Sequence, residues 1–312
     1  MAAEVSAARA ALRDPASAFF AASPMVRTVG ALLRLTDRVA PRWATSGATR
    51  LFFTPLPSKL GARRPLGPRW QAVSWPFEDT ALVAHRPVGP AAADAPAERP
   101  VVLLVHGWGG HAGQMVALGD ALAQAGFEPV LLDLPGHGRS AGWRSSLPQF
   151  ARAVHAAAAR LGPLHAAVGH SLGALAVLHA AARGLAAQQL VLVAPPSSPR
   201  SFLRGFAAAL GLPASMAGRM QQRIERLESV PLAEFEPEWL AARTRVPSLV
   251  VHDRGDRYAP FAGGEQLVAA LPSARLHATD GLGHQRLLRD PGVVGEVRAW
   301  LGGAASPTST AH

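Results

Sequence analysis

Short apolar runs recur along the chain and limit what it can fold into: PVVLLVHG (100–107), EPVLLDLPG (128–136), LHAAVGH (164–170), QLVLVAPP (189–196) and PSLVVHD (247–253). Each is too short for a buried helix and too continuous to alternate between core and water. Strands covered on both faces read this way. Helix-length segments lie between them, near 113–125 and 147–161, and ARLHAT (274–279) supplies a last strand. RWQAVSW (69–75) and TALVAHRPV (80–88) read as two earlier ones. The alternation predicts an α/β fold, with a mostly parallel central sheet of about eight strands and helices on both faces.

One interval breaks the rhythm. Residues 197–245 hold no strand-like run, only helical segments with Phe202, Phe206, Leu210, Met216, Met220, Ile224, Leu227 and Trp239. A helical cap over the carboxyl ends of the strands is expected there, closing a pocket. The expected organisation is a basic helical extension over 1–69, a core over 70–196 and 246–302, the cap over 197–245, and a disordered tail over 303–312. GPAAADAPAER (89–99) reads as a mobile connection inside the core.

Hydrophobic residues make up 49% of the 312 and charged residues 17%, enough apolar surface for a sizeable core. The absence of cysteine removes disulfides, thiolate metal sites and cysteine nucleophiles together. The net charge is +10, of which residues 1–70 carry +8, so the body of the chain is close to neutral. RLFFTPLPSKLGARR (50–64) is the one basic–aromatic stretch and fits no nucleic-acid reading motif, so no nucleic-acid partner is expected. In PMVRTVGALLRLTDRVA (24–40) a helix would align Arg27, Arg34 and Arg38 on one stripe, opposite Val26, Val29, Leu32, Leu33, Leu35 and Val39. Such a helix either packs on the main domain with its arginines in water or touches a membrane surface peripherally. No secretory signal and no long uncharged apolar run is present, which makes the cytoplasm the default location.

The stretch AAVGHSLGALAV (166–177) sets Ser171 between Gly169 and Gly173, after a buried strand and before a strong helix former. A serine on a sharp strand-to-helix turn projects Oγ at the top of the sheet, next to the unpaired amides of a helix N-terminus. A serine hydroxyl needs a base, and the base an orienting carboxylate. TDGLGHQRLL (279–288) offers His284 in a Gly-rich loop after the last strand, and VVHDRGDRYAP (250–260) offers Asp253 and Asp256. Asp256 stands further out, where it can reach the histidine; Asp253 at the strand end suits loop-holding, and Asp280 is a third choice. HGWGGH (106–111) ends the first buried parallel strand in a turn whose Trp108 amide, with that of Leu172, would hold an oxyanion. His106, Gly107, His170, Phe202, Phe206, Met216, Met220 and Trp239 are expected around the substrate pocket. No phosphate-binding glycine pattern and no metal-ligand spacing occurs, so neither a cofactor nor a metal is expected.

Taken together, His106-Gly107-Trp108, LDLPGHGRS (132–140), Gly169-His170-Ser171-Leu172-Gly173, the HDRGD loop and Gly283-His284 resemble the α/β-hydrolase superfamily over residues 70–302. The resemblance implies Ser171 as nucleophile, Asp256 as acid, His284 as base and the Trp108 and Leu172 amides as oxyanion hole, with Asp133 and His137 shaping the floor of the site. It implies a serine hydrolase acting on a small-molecule carboxylic ester with an apolar acyl or alkyl group. Thioesterase, lactonase, amidase, acyltransferase and haloperoxidase-like chemistry use the same triad, and a non-catalytic receptor could use the same fold.

Overall fold

The computed structural model describes Phe20 and residues 24–55, 65–88 and 99–303. The Ala/Pro-rich connection and the C-terminal tail therefore lie outside the described residues, apart from Arg99 and Gly303. Eight strands form one sheet: β1 (Trp70–Phe77), β2 (Thr80–Pro87), β3 (Val101–Val105), β4 (Glu128–Asp133), β5 (Leu164–His170), β6 (Ala187–Val193), β7 (Ser248–Asp253) and β8 (Ala274–Thr279). Their order is β1-β2-β4-β3-β5-β6-β7-β8. The first two strands run antiparallel, and every pairing from β4 to β8 is parallel.

Helices cover both faces. The helices α4 (Leu147–Leu161) and α5 (Leu172–Ala182) bury Phe150, Val154 and Leu175 against Leu103, Val105 and Leu192. On the other face α3 (Val116–Gln124) and α11 (Pro291–Gly302) bury Leu118, Leu122, Val293 and Val297 against Val102, Leu104 and Val191. Adjacent strand residues thus alternate between two cores. Each core-facing Leu or Val contributes on the order of 2 kcal/mol by leaving water, so the central strands cannot be exposed on either side.

Between β6 and β7 the chain is helical: α6 (Pro199–Ala209), α7 (Ala214–Glu228), a 3-10 turn at Leu232–Phe235 and α8 (Pro237–Ala241). Ser198 caps α6 by accepting the Arg200 amide. A third apolar cluster forms here from Leu203, Phe206, Leu210, Met216, Met220 and Ile224, and it includes Ala44 and Ala48. Those two alanines belong to α2 (Pro41–Phe52), which follows α1 (Pro24–Val39). The N-terminal helices are therefore packed into the helical layer above the sheet, not appended to it. Gly30 makes this approach possible, because a Cβ there would sit 2.0 Å from the Leu210 carbonyl oxygen. Arg34 stays exposed and donates to the carbonyls of Leu210 and Gly211 at 2.9 and 3.2 Å.

Candidate active site

Ser171 sits between β5 and α5 with φ 55° and ψ −126°, a left-handed conformation that costs a non-glycine residue free energy of order 1–3 kcal/mol. The neighbouring glycines make room for it. A Cβ on Gly173 would lie 2.3 Å from the His106 carbonyl oxygen, and one on Gly169 would lie 2.5 Å from Ala174 Cα. The turn is locked by Ser171 N–H to Val193 O and Ala174 N–H to Ser171 O, at 2.8 and 2.9 Å. Ser171 stays half-buried, so its side chain is reachable.

His284 lies in the short helix α10 (Gly283–Arg286) and is buried. Its Nδ1 is 2.7 Å from Asp256 Oδ2. The other carboxylate oxygen, Oδ1, accepts the amides of Tyr258 and Ala259 at 2.8 and 3.0 Å. Burial alone would raise the Asp256 pKa, but the hydrogen bond and charge of His284 with these amides hold it below the usual carboxylate range. His252 Nε2 stands 3.6 Å from the same carboxylate while lying 2.9 Å from Ala259 O.

Asp253 is used differently. Its Oδ1 accepts the Gly255 amide, and its Oδ2 accepts Thr279 Oγ1 and the Leu282 amide at 2.9 and 2.8 Å, which ties β7 to the loop carrying His284. Asp280 is exposed and paired with Arg254. His170, beside Ser171, reaches the back of this loop, with Nε2 3.0 Å from the His284 carbonyl oxygen. Burial, and then the charge of His284, lower the His170 pKa to about 3, so the ring stays neutral and donates that bond.

The loop after β3 is braced by two more imidazoles. His106 places Nδ1 2.7 Å from Gly107 O and accepts the Leu134 amide at Nε2, and burial lowers its pKa to about 4. His137 accepts the Gly109 amide at Nε2, with Nδ1 against Pro135 O. The Gly110 amide goes to Gly107 O. The amides of Trp108 and Leu172 have no partner among the described residues. Asp133 supports the arrangement from below, accepting the Ala112 and Arg139 amides and pairing with His85 at 2.9 Å.

An apolar cavity adjoins the site. It is walled by Trp108 and Leu172 together with Phe52, Phe53, Leu147, Phe202, Leu203, Ile224 and Leu232. Of the residues expected around the pocket, Phe202 lines this cavity, and Phe206 packs behind it with its ring 5.1 Å from Phe52. His106 and His170 lie beneath the loops, and Gly107 faces Ser171 Cβ. Met216, Met220 and Trp239 are corrections. The two methionines are fully buried in the apolar cluster of the helices between β6 and β7, because helix α2 covers that side. Trp239 stacks on His179 and under Arg243. The sequence reading missed Phe52 and Phe53; the one available signal was an apolar FF pair directly before a proline-rich break. Among the described residues no three His, Asp or Glu side chains are grouped as metal ligands are.

Known proteins resemble this chain in sequence and in fold. Residues 96–233 match the family model described as serine aminopeptidase, S33. The pimeloyl-[acyl-carrier protein] methyl ester esterase of Chromobacterium violaceum is 30% identical over 233 residues, covering 61% of this chain and 89% of the relative. The enzyme of the same name from Xanthomonas campestris pv. campestris (strain B100) is 29% identical over 241 residues, covering 64% and 93%. A crystal structure of a putative lipase from Acinetobacter baumannii AYE superposes with a TM-score of 0.57 at 18% identity, over 75% of this chain and 91% of that one, a likeness of fold. With an esterase 30% identical over most of its own length, the chain belongs to the serine ester hydrolases of the α/β-hydrolase superfamily.

Proposed function

We propose that Ser171, His284 and Asp256 form the catalytic triad, and that the amides of Trp108 and Leu172 form the oxyanion hole for a carboxylic ester whose acyl chain lies in the apolar cavity. The observation that carries this reading is that Trp108 and Leu172 also contribute the cavity wall. A carbonyl oxygen held by their amides has its acyl side next to apolar side chains. The relatives are named for a methyl ester, and a methyl ester has nearly all its apolar bulk on the acyl side. Methyl and other short-alcohol esters of apolar acids therefore come first among the candidate substrates.

The steps follow from the hydrogen bonds. With Nδ1–H donated to Asp256, the lone pair of His284 is on Nε2, where it takes the Ser171 hydroxyl proton as Oγ attacks the carbonyl carbon. The tetrahedral oxyanion forms between the two amides. Removing one such donor typically costs about 3–4 kcal/mol of transition-state stabilisation. Collapse breaks the bond to the alcohol oxygen, which takes the proton from Nε2. A water, deprotonated by His284, then releases the acid from Ser171. The helices over 199–241, with α2 beside them, act in this reading as a cap that keeps solvent from the acyl group.

Hydrolysis of p-nitrophenyl esters from acetate to palmitate, with Ser171→Ala in parallel, tests the assignment. Turnover that survives the substitution overturns it.

A further inference from the structure

Helix α1 is fixed on its inner side and, among the described residues, exposed on its outer side. Val26, Val29 and Leu33 pack toward the helical cluster, Gly30 touches Leu210, Arg34 holds two carbonyls, and Asp37 is paired with Arg219. The opposite face carries Met25, Leu32, Leu35 and Val39, at 74, 59, 59 and 83% exposure, and Trp43 at the start of α2 is 78% exposed. Spacings of seven, three and four residues put the first four on one stripe of the helix. Among the described residues these five make up more than half of the large apolar side chains that are exposed. Scattered exposed apolar residues need no explanation, but a continuous stripe on a rigidly held helix does.

We infer that this stripe is a docking surface for an anionic lipid bilayer, with α1 lying in the plane of the interface. Charge favours that occupant over an apolar protein face. Arg27, Arg38 and Arg42 are exposed beside the stripe, while Asp37, the only acidic residue from 24 to 55, is turned inward and neutralised by Arg219. Apolar side chains that enter the interface next to arginines that meet phosphates, with a tryptophan at the edge, suit the headgroup boundary. None of the helices among the described residues is long and apolar enough to cross a membrane, so the contact is lateral. The sequence had suggested contact through an arginine face; in the structure Arg34 also holds the Leu210 and Gly211 carbonyls, and the apolar stripe stands beside the arginines. Helix α2, continuous with this surface, ends at Phe52, which lines the cavity. The docked helix and the wall of the acyl site therefore belong to one packed unit. The inference does not depend on the ester chemistry.

The chain has no cysteine, so one introduced thiol can be labelled cleanly. Full-length Leu35→Cys carrying a polarity-sensitive dye is mixed with vesicles of phosphatidylglycerol and phosphatidylcholine, or of phosphatidylcholine alone. Glu265→Cys, exposed on α9 (Phe261–Ala270), which packs on β7 and β8, serves as the label away from α1. The expected result is a blue shift at position 35 only, with anionic vesicles, weakening several-fold between low and high salt. In a sedimentation assay Leu32→Glu with Leu35→Glu should lower vesicle partitioning on the order of tenfold or more, with circular dichroism and melting temperature unchanged. Four outcomes overturn the inference: no shift with vesicles, equal shifts at both labels, no loss of partitioning in the double variant, or a concentration-dependent shift without vesicles. The last would assign the stripe to a second copy of the chain.

Discussion

Asp256 Oδ2 and His284 Nδ1 are 2.7 Å apart, and they meet across two loops that Asp253 binds together from behind. The two aspartates of the HDRGD stretch therefore do different work, although they are three residues apart. One faces the imidazole; the other accepts Thr279 Oγ1 and the Leu282 amide. Asp256→Asn should lower kcat on the order of 10³–10⁴-fold, because the imidazole loses its orienting acceptor while the fold is kept. Asp253→Asn should cost about 1–3 kcal/mol of stability, with a smaller effect on kcat. Steady-state kinetics beside urea unfolding separates them. A larger kcat loss at Asp253 would reverse the assignment.

Ser171 holds a positive φ that glycine adopts freely. Both Ser171→Ala and Ser171→Gly should abolish ester turnover. The glycine variant, freed of the strain, should be more stable than the alanine variant by about 1 kcal/mol. Chemical denaturation of the pair measures this, and equal midpoints would mean that the turn carries no strain.

If the acyl chain lies in the apolar cavity, as proposed, the cavity wall limits its length. Ile224 is 2% exposed and lines the cavity, so Ile224→Phe fills space with little change at the protein surface. Turnover of acetate esters should be nearly unchanged, while kcat/KM for the longest accepted chain should fall by about tenfold, a loss of roughly 1.4 kcal/mol. A uniform loss across the series would place the acyl chain elsewhere.

Acid should destabilise the protein earlier than its carboxylates require. Burial lowers the His106 pKa from 6.5 to about 4 and the His170 pKa from 6.5 to about 3. In the unfolded chain both rings take up a proton as pH falls below 6.5, and in the folded protein they do not. Stability contributed by the neutral rings is thus full above pH 6.5 and is lost progressively down to about pH 4, His106 alone accounting for roughly 3 kcal/mol. Asp133, Asp253 and Asp256, held below the usual carboxylate range, add a further loss at lower pH in the same direction. The melting temperature should therefore decline continuously from pH 6.5 to 5. A flat profile over that span would show that the imidazoles are not kept neutral.

The sheet was legible because its strands are buried on both faces, and continuous Val/Leu runs have few other uses. The elbow was legible because Gly169 and Gly173 are demanded by backbone contacts closer than any side chain allows. The cavity wall was less so. Met216 and Phe202 are both apolar and helical in sequence, yet one fills the cluster beneath α2 and the other faces the cavity. Helical periodicity says that a face is buried and not against what. The place of α2 was hidden for the same reason: Ala44, Ala48 and Phe52 mark a face with a partner, and the partner lies about 160 residues further along the chain.

That partnership gives the last prediction. Were the N-terminal region an appendage, removing residues 1–60 would leave the hydrolase intact. In the structure the same deletion strips Ala44 and Ala48 from Phe206, Met216 and Met220, and removes Phe52 and Phe53 from the cavity wall. Newly exposed apolar surface on α6 and α7 should lower the melting temperature, and the opened cavity should lose its grip on longer acyl chains more than on acetate. Removing residues 1–19 alone leaves all of these contacts in place and should leave both readouts unchanged. If the longer deletion behaves like the shorter one, α1 and α2 are dispensable to the acyl site. If it selectively loses long-chain turnover, the first two helices belong to the enzyme's substrate-binding wall.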